Sequence, residues 1–174
     1  IDVQNAASML FRLRRQGVDV GNRWEELADK AEARVGDCLS AFTLPHWMMA
    51  LTATGRFQAA ARMLDGMREA ASKPGTIAPI LRDAAIPVSE AVLAHAQGDH
   101  ARAVEAMRPA LSVMHRMGGS HAQQDVLEQL FLDAAMKAGA TEDVRMLLER
   151  VAGRHPVAPE RRAGYAEAAK AVRH

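Results

Sequence analysis

Cysteine is almost missing from this chain. Cys38 stands alone among 174 residues, which excludes an intrachain disulfide framework and suits a reducing compartment. Aromatic residues are scarce at 4%, although hydrophobic residues reach 49%. No β-branched run is long enough to read as a strand, and no apolar stretch approaches the roughly 20 residues of a membrane span. Charge of one sign is not in excess: 22 basic against 21 acidic residues leave +1, too little for the counterion release behind general nucleic-acid binding. The chain opens at Ile1 with neither a basic n-region nor an apolar h-region, so a signal peptide is not expected. The expectation is a cytoplasmic piece of a longer protein, with no membrane and no nucleic-acid partner.

What is abundant points to helix. Alanine, leucine, methionine, arginine and glutamate dominate, all strong helix formers. Apolar periodicity and its breaks predict helices near 3–16, 22–36, 44–54, 57–72, 87–97, 100–116, 121–138, 142–153 and 159–172, with a short turn around 78–84. Gly17, Gly55, Gly98 and Gly139 each follow an apolar run, where a left-handed helix end suits glycine. Asp99 and Thr141 then fall at N-cap positions, and Pro87 and Pro159 at first-turn positions. Ser120 and Gln123 have the spacing of a capping box.

The four glycines recur at intervals of 38, 43 and 41 residues, the spacing of stacked helix pairs. Small or apolar residues follow the turns at Gly55, Gly98 and Gly139 in register: Ala60, Ala103 and Val144. The predicted fold is all-α, a superhelical solenoid of antiparallel helix hairpins in one domain over 1–174. Its units span about 1–37, 43–72, 85–116 and 121–154, with a C-terminal helix at 158–172.

This pattern resembles the tetratricopeptide repeat. Trp47-Met48 and Phe131-Leu132 stand where that motif wants a bulky core pair, and Glu90-Ala91 departs from it. A narrower similarity rests on the string Gly118-Gly119-Ser120-His121-Ala122-Gln123. With Gly17-Val18-Asp19-Val20-Gly21-Asn22-Arg23-Trp24 and the Phe42 to His46 stretch, it resembles the C-terminal portion of the tetratricopeptide repeat protein 38 family over nearly the whole chain. Members of that family continue with Arg-Asp-Val-Phe, whereas this chain has Gln124-Asp125-Val126-Leu127 and so lacks the arginine. The resemblance implies an α-helical repeat protein and names no activity.

Residues four apart on a helix share a face, so His121, Asp125, Gln129 and Asp133 form one polar stripe. In stacked hairpins the first helices line the concave wall, which also receives His46, Met49 and His95; Met136 is a further candidate there. These residues make up the expected ligand-binding groove for a peptide or protein partner, with no catalytic group, metal or cofactor. The alternative is a small-molecule binder or enzyme in which Asp125 orients His121, with His46 nearby. Self-association stays open. The run Arg12, Arg14, Arg15 reads as a solvated helix face. Most methionines read as core filler, and Cys38 as a small, semi-buried thiol. His100, His115, His155 and His174 read as loop or helix-end residues.

Overall fold

A computed structural model of the chain describes residues 2–172, and no strand occurs among them. In chain order the helices are α1 (Asp2–Arg15), α2 (Arg23–Glu32), α3 (Thr43–Ala53), α4 (Phe57–Ser72), α5 (Ile77–Ile80), α6 (Ile86–Ala96), α7 (His100–Met107), α8 (His121–Lys137), α9 (Thr141–Ala152) and α10 (Ala166–Ala171). The all-α expectation holds. His174 lies outside the described residues.

The helices divide into two kinds by sequence. Helices α4 and α9 carry a single apolar stripe, Met63, Leu64, Met67 and Ala71 in the first and Val144, Leu147, Leu148 and Val151 in the second. Their other faces are charged, as in surface helices. Helix α3 is apolar all round, and every residue from Thr43 to Thr52 is buried. Helix α8 is buried continuously from Val126 to Leu132. Such helices are stable only with neighbours on all sides. Helix α3 indeed packs on α1, α2, α4 and α6, and α8 packs on α1, α6, α7 and α9. The inner row α1, α3, α6, α8 closes on itself, because α1 touches both α3 and α8.

Each inner helix ends in the same way. Gly17, Gly55, Gly98 and Gly139 have φ of 76°, 74°, 81° and 68°. At each, two amides fold back onto the last turn: Val18 to the carbonyl of Leu13, Arg56 to Leu51, Asp99 to Ala94 and Ala140 to Ala135, with the glycine amide bonding the next carbonyl in sequence. This is the Schellman arrangement. Nothing lies within 4 Å of a side chain added at these four glycines, so left-handed backbone alone requires the residue. Downstream, Asp99 caps α7 by accepting from the Arg102 amide at 3.1 Å. Ser120 and Gln123 form the capping box of α8.

Prolines and one glycine account for the departures from expectation. The helix predicted over 100–116 stops at Met107 and continues as 3-10 turns, Arg108–Ala110 and Met114–Met117, because Pro109 removes an amide and crowds the preceding turn. Residues 77–96 run on as helix through a π turn at Leu81–Ala85, which replaces the short isolated turn expected there. The wider π turn immediately precedes Pro87, whose ring clashes with an α-helical carbonyl four residues back. The helix expected over 159–172 is a 3-10 turn at Pro159–Arg161 followed by α10, interrupted where Gly164 takes a φ of 87°. The N-cap before α9 is Ala140, one residue ahead of Thr141.

Replacing Gly98 with Ala strains a left-handed turn in open space and should cost about 1 kcal/mol. A Cβ at Gly164 would stand 2.7 Å from Cδ of Gln129, so Gly164→Ala should lower the melting temperature distinctly more than Gly98→Ala. Equal losses in thermal melts of the two variants would contradict the close approach at Gly164.

Candidate functional site

The polar stripe of α8 faces inward, and two other parts of the chain already occupy much of it. Arg12 and Arg15 are three residues apart on α1 and so share a face. Arg12 donates to Oδ2 of Asp125 at 3.1 Å and to the carbonyl of Ala122 at 2.6 Å. Gln129 donates to the same Oδ2 at 2.7 Å. From the C-terminal segment, Arg162 and Tyr165 donate to Oδ1 of Asp125 at 2.8 and 2.6 Å. Burial alone would raise this carboxyl, but the hydrogen bonds from Tyr165, Arg12 and Gln129 outweigh it and hold the pKa below the usual value. The expected solvation of the arginine run is therefore corrected: Arg12 and Arg15 bond across to α8, and Arg14 alone is exposed.

At the other end of the same stripe a cavity remains. It measures about 500 Å³ and lies where the C-terminal ends of α1, α3, α6 and α8 meet. Phe11, Trp24, Met49, Val92 and Leu130 form its apolar part; Arg14, Arg15, His95, Asp133 and Lys137 form its polar part. Asp133 accepts from His95 Nε2 at 2.6 Å and Lys137 Nζ at 2.7 Å, with Arg15 Nε at 3.5 Å. Burial works against its ionisation, yet the hydrogen bonds from His95 and Lys137 prevail and its pKa is strongly depressed. The His95 ring leans on Phe11 at 6.1 Å and meets His100 edge-on at 5.2 Å. Burial, with the charges of His95 and Lys137 adding, lowers the pKa of His100.

Of the expected groove residues, the cavity brings together Met49, His95 and Asp133. Asp125 and Gln129 sit beyond it, bonded to α1 and to the C-terminal segment. His121 is exposed at the start of α8, and both oxygens of Asp125 are engaged by groups other than His121. His46 is 1% exposed and donates through Nδ1 to the Phe42 carbonyl at 2.8 Å. Burial, assisted by the charge of Arg12, lowers its pKa against the pull of the Phe42 and Gln123 carbonyls. Met136 is half-buried against the core. Among the described residues no three His, Cys, Asp or Glu are grouped to hold a metal ion.

Phe11, Trp24, Arg14, Arg15 and Lys137 did not emerge from the sequence as candidates. A signal for the arginines exists: the shared face of Arg12 and Arg15 matches in charge the shared face of Asp125 and Asp133. No local pattern connects them, since more than a hundred residues intervene.

Two predictions follow from the bonding. Tyr165→Phe removes a hydrogen bond to a partly buried carboxylate and should cost about 1.5–3 kcal/mol, whereas His121→Ala should stay within about 0.5 kcal/mol of the native chain in denaturant titrations. His46 and His100 have lowered pKa values, so each binds fewer protons folded than unfolded below about pH 6.5. The stability they contribute is present above that pH and lost as the pH falls through their folded values. His46→Asn should therefore flatten the fall in melting temperature between pH 7 and 5; an unchanged slope would contradict this.

A scan against models of protein families finds none that matches, and no solved structure matches the chain.

Proposed function

We propose that this chain is a tetratricopeptide-like helical-repeat module that binds a ligand without performing covalent chemistry, and that the cavity between the ends of α1, α3, α6 and α8 is the seat. Support for the repeat reading comes from the four recurrent Schellman ends and from alternate helices packing as an inner row. The resemblance to the tetratricopeptide repeat protein 38 family agrees with it. Support for the binding reading comes from one observation: a cavity of about 500 Å³ that joins an aromatic and aliphatic floor to a small set of convergent polar groups. Among the described residues no nucleophile and base meet there, and His95, the one imidazole among those lining it, has its Nε2 engaged by Asp133.

An extended peptide lying along α8 finds Asp125 and Gln129 already bonded to Arg12, Arg15, Arg162 and Tyr165. A partner therefore enters by burying one group in the end cavity. A peptide or protein partner would present a single anchoring side chain; a small molecule would enter whole. The His121, Asp125 and His46 alternative has less support, since the exposed His121 and the buried His46 line none of this cavity.

Ala53 lines the cavity and is only partly buried, so a larger side chain there can be placed in the cavity space. Species captured from metabolite and peptide pools, read by native mass spectrometry, should bind the native chain and His121→Ala but not Ala53→Trp. Capture that persists in a folded Ala53→Trp variant would remove the cavity from the proposal. A mass change in the captured species on incubation would remove the claim that no chemistry occurs.

A further inference from the structure

The side chains of the cavity carry a net positive charge. Among the described residues three permanent cations border it, Arg14, Arg15 and Lys137, against one carboxylate, Asp133. Lysine and arginine often gather at helix C-termini to offset the backbone dipole and bond the last carbonyls. Here the glycine ends already bond two of the last carbonyls in each of the four inner helices, which leaves the cations the dipole ends to offset. Among the described residues none of the three cations bonds a carbonyl of these helix ends: Lys137 bonds Asp133, Arg15 reaches Gln129 and the Gly164 carbonyl at 3.4 Å each, and Arg14 makes neither a hydrogen bond nor an ion pair. Arg15 is also held in place, its side chain only 14% exposed, while its three contacts at 3.4–3.5 Å leave donors uncommitted. On the apolar side, Trp24 is 5% exposed and contributes ring surface to the wall.

We propose that this cavity takes a small organic anion: a ring-sized apolar body, seated against Phe11, Trp24, Met49 and Leu130, bearing one carboxylate or phosphate that meets Arg14, Arg15 and Lys137. The proposal rests on the reading that the cavity is the binding site. Two features favour a free small molecule over a chain segment. The volume suits one, within the roughly 300–1,000 Å³ typical of such sites. The stripe that would carry the remainder of a peptide is covered at Asp125 by α1 and the C-terminal segment. A cationic ligand is disfavoured, because Asp133 is already engaged by Arg15, Lys137 and the His95 ring.

Isothermal titration of the whole chain with naphthaleneacetate, naphthyl phosphate and the neutral naphthaleneacetamide tests this. At least one of the two anions should bind about tenfold more tightly than the amide, and whichever of them does so identifies the headgroup. Arg14→Glu and Lys137→Ala, at exposed positions that leave the core intact, should each weaken that anion about tenfold and leave the amide unchanged. Equal binding of acid, phosphate and amide would overturn the charge preference while leaving the cavity as a binding site. A preference for the anions that survives both substitutions would overturn their placement at this rim. Binding by none of the three would overturn both the inference and the reading beneath it.

Discussion

One carboxylate holds this molecule closed. Asp125 gathers Arg12 from the first helix, Gln129 from its own helix, and Arg162 and Tyr165 from the last segment of the chain. A partly buried acid is unfavourable unless every lone pair is used, and here four donors converge on two oxygens. The geometry is the kind in which removing one partner leaves the others uncompensated. That convergence ties α1 and the C-terminal segment to α8 beside the end cavity.

A second device serves the adjacent face. Glu128 is almost wholly buried and pairs with Arg150 and Arg154; Arg150 also reaches the Leu111 carbonyl at 2.6 Å. Helix α8 is thus tied to α1, to the C-terminal segment and to the end of α9 by two carboxylates only three residues apart in sequence. Its apolar residues Val126, Leu127, Leu130 and Phe131 pack on the other side of the helix. That explains how a helix with so little difference between its faces still has a fixed rotation about its own axis.

Much of the fold was legible because its signals are local. Gly55 after an apolar run, Asp99 before His100, and Ser120 three residues ahead of Gln123 each specify a helix end through backbone and side-chain groups within a single turn. The errors came where two local signals competed. Val104, Met107, Leu111 and Met114 keep helical spacing past Pro109, and the periodicity outweighed the missing amide in the reading although not in the molecule. The site was legible only in part. Met49, His95 and Asp133 sit on faces that periodicity picks out. What a face meets is decided by packing between segments far apart in sequence, so the spacing of His121 and Asp125 said nothing of the Arg12 and Tyr165 that would take Asp125 first.

The clasp at Asp125 also bears on how the two ends of the described chain are held. In an open stack each unit touches only its neighbours, so the outermost pair can detach while the remainder stays intact. Here residues near both ends of the described chain grip the same side chain. Loosening α1 uncovers the acid that retains residues 162–165, and loosening those residues weakens the hold on α1. A disturbance at either terminus thereby reaches the other through one acidic group.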